Sequence, residues 1–76
     1  MEGEIMTIAQ ASNLYPGQWL VFELRGSGPI SSNSKGVVLA HDQDDMIATR
    51  TARRIANRRR REGHQRGLAF FRAPPK

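Results

Sequence analysis

Arg50, Arg53, Arg54, Arg58, Arg59, Arg60, Arg61 and Arg66 crowd one short stretch of this chain and form its most chemically distinctive feature. A guanidinium group stays charged at any physiological pH, and its planar fork of N–H donors matches a pair of phosphate oxygens. This stretch therefore points to docking of a polyanion, RNA or DNA, read by charge and shape rather than by base sequence. Asn57 is the one amide inside it that could address a base edge. If about six phosphates were neutralised, binding would fall with salt at a log–log slope near −5. The plainer reading is a basic face for an acidic protein partner, or a solvated surface that keeps a small protein dissolved.

Other chemistry is poorly supplied. Ser12, Ser27, Ser31, Ser32 and Ser34 have no base at a recognisable spacing and no nucleophile elbow. Gly26, Gly28 and Gly36 are not followed by the Gly-Lys-Ser/Thr of a phosphate loop. Asp42, Asp44 and Asp45 lack the glycine and distant glutamate of a calcium loop, and His41 with His64 has no clear third ligand for zinc. No catalytic residue, metal site or cofactor is expected, and the chain reads as a binding protein rather than an enzyme.

The arginines need a helix to carry them. Asp42–Gly63 has acids at the positive end of the helix dipole, arginines at the negative end and Gly63 as a left-handed stop. Its apolar stripe is Ile47, Ala48, Thr51, Ala52 and Ile55, and since nothing apolar in the same register follows, the last two turns are expected to project beyond the core. Gln18–Leu24 and Gly36–Ala40 read as two strands joined by a mobile hairpin loop at 25–35, and Gly67–Arg72 as a third. A short helix capped by Thr7 carries Ile8, Ala11 and Leu14 inward and stops at Pro16-Gly17. A helix crossover makes the second and third strands parallel, with the first between them. Trp19, Val21 and Phe71 are expected on one sheet face and Leu20, Phe22 and Phe70 on the other, as core rather than as stacking platforms. Tyr15, at the turn, is also assigned to packing.

These elements define an α+β domain in which a three-stranded sheet, a hairpin plus a crossover strand, packs on one long arginine-rich helix, with a short N-terminal helix added. The whole chain, 1–76, forms one domain, with a frayed N-terminus at 1–6 and a tail at 73–76. The segment Tyr15-Pro16-Gly17-Gln18-Trp19-Leu20-Val21, with Gly36-Val37-Val38-Leu39-Ala40-His41 before an Asp-led helix, resembles a family of small prokaryotic domains of unknown function with a Tyr-Pro-Gly-x-Trp opening. The resemblance implies the order strand, strand, helix, strand over roughly 11–72 and brings no activity with it. The 25–35 loop and the arginine density depart from that pattern.

Composition sharpens the picture. The net charge is +5, but residues 1–45 hold six acids against two bases, a balance of −4, and residues 46–76 hold ten bases against one acid, +9. The absence of cysteine excludes disulfide frameworks and thiolate zinc sites. No apolar run approaches the roughly 20 residues of a membrane span, and the acidic start is unlike a secretory signal. The expectation is a cytoplasmic protein with no membrane association, partnered by nucleic acid or by an acidic protein. A protein–protein module that self-associates, for example as a homodimer through the aromatic sheet face, is the alternative.

Overall fold

The computed structural model describes residues 4–26, 28–63 and 67–75. The elements run β1 (Met6–Thr7), α1 (Ile8–Leu14), β2 (Trp19–Leu24), β3 (Lys35–Asp42), α2 (Asp45–Glu62) and β4 (Leu68–Arg72). The class is α+β, as expected. The sheet has four strands rather than three, in the order β1-β3-β2-β4 with every pairing antiparallel. The added strand is a two-residue segment, so Met6 belongs to the sheet and not to a frayed end. With β3 and β4 both antiparallel to the central β2, they run parallel to each other across it, as the crossover requires.

β2 is central because almost every residue in it is apolar, so both of its faces need a cover. The face bearing Leu20 and Phe22 packs on α1. Leu20, Phe22, Ala11 and Ala73 are buried there, with Met6, Ile8, Tyr15, Val38, Ala69 and Phe71 around them. Phe22 sits where it does because position 36 has no side chain: a Cβ on Gly36 would come within 2.5 Å of the Phe22 ring and collide with the Glu23 carbonyl. Phe71 meets Phe22 edge to face at 6.3 Å. The opposite face, bearing Trp19, Val21 and Glu23, packs against α2, which lies over β2 and β3.

The register of β4 reverses one sequence expectation. Leu20 lies opposite Phe71 and Val21 opposite Phe70. Directly opposed residues share a face, so Phe71 joins Leu20 and Phe22 while Phe70 joins Trp19 and Val21, the swap of the predicted assignment. The β2–β3 ladder carries a bulge at Val21/Phe22, which leaves Leu39 between the paired Val38 and Ala40.

Local signals place the ends of the elements. Thr7 caps α1 in a reciprocal capping box with Gln10. Residues 31–34 form a hydrogen-bonded turn whose Ser34 and Ser32 carbonyls accept from the Ile8 and Ala9 amides, giving partners to two more amides at the start of α1. Leu14, predicted inward, is exposed, while Ala11 is buried and Ile8 packs beside it. Tyr15-Pro16-Gly17-Gln18 is a type II turn, with Gly17 at φ 73° and the Gln18 amide bonded to the Tyr15 carbonyl. That turn also grips the end of the chain: Gly17 donates to the Ala73 carbonyl and the Ala73 amide to the Gln18 carbonyl at 2.8 Å. Ala73, expected in the tail, is fully buried as a result.

Candidate polyanion-binding face

α2 begins two residues later than a cap at Asp42 would give. Asp44 is the N-cap, accepting from the Met46 and Ile47 amides, while Asp42 ends β3 and accepts from the Asp44 amide at 2.8 Å. These two carboxylates are thus engaged in forming the helix start, and among the described residues no group of three metal-ligating side chains comes together. His41 is likewise occupied, stacked on Tyr15 at 3.9 Å with Nδ1 2.8 Å from Gln18 Oε1. At the other end Gly63 takes the left-handed conformation and its amide closes onto Arg60, as its position predicted.

Contrary to expectation, the helix does not leave the sheet after Ile55. Ala48, Ala52, Ile55 and Arg59 recur at the spacing of one helix face, and Arg59 continues the buried line. Its Nη2 lies 2.6 Å from Glu23 Oε2, close but not aligned as a hydrogen bond, and the two side chains are only 13% and 7% exposed. Arg25 Nε donates to the other carboxylate oxygen of Glu23. Burial by itself would raise the Glu23 pKa, but the guanidiniums of Arg59 and Arg25 outweigh it and hold the carboxyl below its ordinary value of 4.5. By composition alone Glu23 is one acid among the six of residues 1–45. The signal that could have found this pair is a lone acid inside the apolar run Val21-Phe22-Glu23-Leu24, which demands a cation from the helix above it.

The remaining arginines are arranged differently. Arg50, Arg53, Arg54, Arg58 and Arg61 are exposed and line one furrow on the outer side of α2, together with Asn57 and Glu62. Arg53, Arg54, Arg58 and Arg61 lie three, four, eight and eleven residues after Arg50, so all five fall in an arc on the side turned away from the sheet, with Arg53 and Arg58 at its two margins. Among the described residues no carboxylate forms an ion pair with any of these five. Arg60 is exposed beside them, its Nη2 3.4 Å from the Asn57 side-chain oxygen. Arg54 and Arg58 also border Leu39, Thr51 and Ile55 where α2 meets β3. Of the eight arginines expected to act together, six therefore share an exposed surface, Arg59 belongs to the packing, and Arg66 lies outside the described residues.

Two further groups take places that the sequence pattern does not predict. Phe70, assigned to the core, is 40% exposed and stacks on Trp19 with centroids 5.3 Å apart. Arg72 is opposite Trp19 in the ladder and shares its face. Among the described residues no helix is long and apolar enough to cross a membrane. No family model, curated protein or solved structure matches the chain, so any functional reading rests on the side chains themselves.

Proposed function

We propose that this is a small binding protein, not an enzyme, which docks a nucleic acid through the outer face of α2 without reading its sequence. The observation that carries this reading is the furrow of five exposed arginines, with Glu62 as its one acid, in which none of the five forms an ion pair with a carboxylate of the described residues. From Arg50 to Arg61 the helix rises about 16 Å, roughly the axial length of five phosphates on one strand of a duplex. An N–H fork at each of these positions suits phosphate oxygens and asks nothing of the bases. The cytoplasm is the compartment that suits such a protein.

The test is a triple substitution, Arg54→Gln, Arg58→Gln and Arg61→Gln, assayed by mobility shift against several unrelated sequences. The expected result is an equal loss on every sequence and a log–log salt slope shallower by about 3. Unchanged affinity, or loss confined to one sequence, would overturn the reading.

A second reading, an acidic protein partner, is favoured by one observation. Leu39 and Ile47 are 37% and 49% exposed, and Leu39 borders Arg54 and Arg58, an apolar spot with a cationic rim. Sedimentation at two salt concentrations separates the two: a monomer that takes up nucleic acid only at low salt supports the first, and an assembly free of nucleic acid supports the second.

A further inference from the structure

We infer that the nucleic acid is single-stranded, and that its bases stack on Phe70, backed by Trp19, on the edge of the sheet that α2 leaves open; this rests on the polyanion reading above. The placement follows from topology. α2 covers β3 and β2, while β4 lies at the sheet edge beyond β2. Arg54 and Arg58 mark the flank of the helix over β3, since they border Leu39. At 100° per residue the opposite flank, toward β4, carries Ala52 and Ala56 and then Thr49, Arg60 and Arg53. Ala52 and Ala56 are short side chains, and Phe70 is 40% exposed. The exposed ring of Phe70 thus lies beside this flank of α2, and Arg72, two residues further along β4 and opposite Trp19, stands at its end with Nε donating to the Gly17 carbonyl and the rest of the guanidinium available.

The chemistry of this edge selects one occupant. An apolar peptide would gain from the ring but nothing from the cations beside it. A duplex would gain from the cations but keeps its base faces hidden within its own stack. A single strand offers both, with bases to lie on Phe70 and phosphates to meet Arg53, Arg60 and Arg72. No group of this edge is assigned to the sugar, so RNA and DNA strands are equivalent ligands here.

Trp19 is the sole tryptophan and is already stacked on Phe70, so its fluorescence reports occupancy directly. The full chain is titrated with oligouridylate or oligothymidylate of about 15 nucleotides and with a duplex of equal length. Either single strand is expected to quench Trp19, and the duplex not. Phe70→Leu should weaken single-strand binding about tenfold and duplex binding less than twofold, while Phe70→Tyr keeps the single-strand affinity. No quenching by either strand, or an equal effect of Phe70→Leu on strand and duplex, overturns the stacking inference and leaves the arginine face standing. Absence of salt-sensitive binding to any of the three probes overturns both.

Discussion

The two faces of the sheet are closed by different means. Under α1 the closure is apolar and complete: Leu20, Phe22, Ala11 and Ala73 have no exposure, and a glycine at 36 makes room for the ring that fills the centre. Under α2 it is thin. The helix contributes alanines and one isoleucine, an ion pair takes the place of a large side chain at Arg59 and Glu23, and Phe70 and Leu39 remain partly in water. The fully buried cluster lies on the α1 side, while Val21, Val37 and Ala48 are buried under α2 as a thinner second layer. The α2 side is consequently free to trade burial for charge. The helix that carries the exposed arginines is held by small contacts and one polar tether.

The comparison breaks most readily at Phe22. Phe22→Ala removes a fully buried ring from the closed face, at a cost of about 3–5 kcal/mol, against the few kcal/mol that a core this small supplies. The variant is expected to be unfolded at room temperature by circular dichroism. A cooperative melt within a few degrees of the wild type would show that the stabilising core is elsewhere.

The polar tether is next in size. Glu23→Ala leaves Arg59 covered without its partner and should cost about 1–3 kcal/mol by urea denaturation. Glu23→Leu combined with Arg59→Leu should recover most of that or exceed the wild type, because the pair must repay its own desolvation. The pH dependence has a definite sign. Glu23 is depressed when folded, so its contribution is present above the ordinary value of 4.5 and is lost as pH falls through the lower folded value. The advantage of wild type over Glu23→Gln is expected to be constant near neutrality and to shrink below pH 4.5. A difference that stays level down to pH 3 would mean that the carboxylate charge contributes nothing.

The same contrast decides what could be read from the residues alone. Capping residues with a single geometric meaning were legible: Thr7 starts α1, Gly63 ends α2, and Pro16-Gly17 makes the turn. The strands were legible as apolar runs between turn residues, but their faces were not. Leu68-Ala69-Phe70-Phe71 has no alternation, so nothing local says which phenylalanine points to the core, and only the register with β2 settles it. β1 is too short to carry a pattern. The outer arginines were recognisable as a group because charge on a helix surface needs no tertiary context, whereas Arg59 had to be told apart by Glu23, distant in sequence and facing it only after folding.

The smallest effect is the sharpest discriminator between a face that serves the fold and one that serves a ligand. Arg54 has Arg50 four residues before it and Arg58 four residues after, all exposed and unpaired with any described carboxylate. Like charges at that spacing repel by about 0.2–0.5 kcal/mol per pair, and mid-helix Arg54 gains little from the helix dipole, which acts within the last turn. Arg54→Gln should therefore stabilise the domain by about 0.5 kcal/mol at low salt, with the gain fading as added salt screens the repulsion, while weakening nucleic-acid binding in the same buffer. Opposite signs in the melt and in the binding curve are what a surface held against its own repulsion for the sake of a ligand must give. If Arg54→Gln instead lowers the melting temperature at low salt, the arginine has an attractive partner within the molecule, and the outer face of α2 belongs to the fold as Arg59 does.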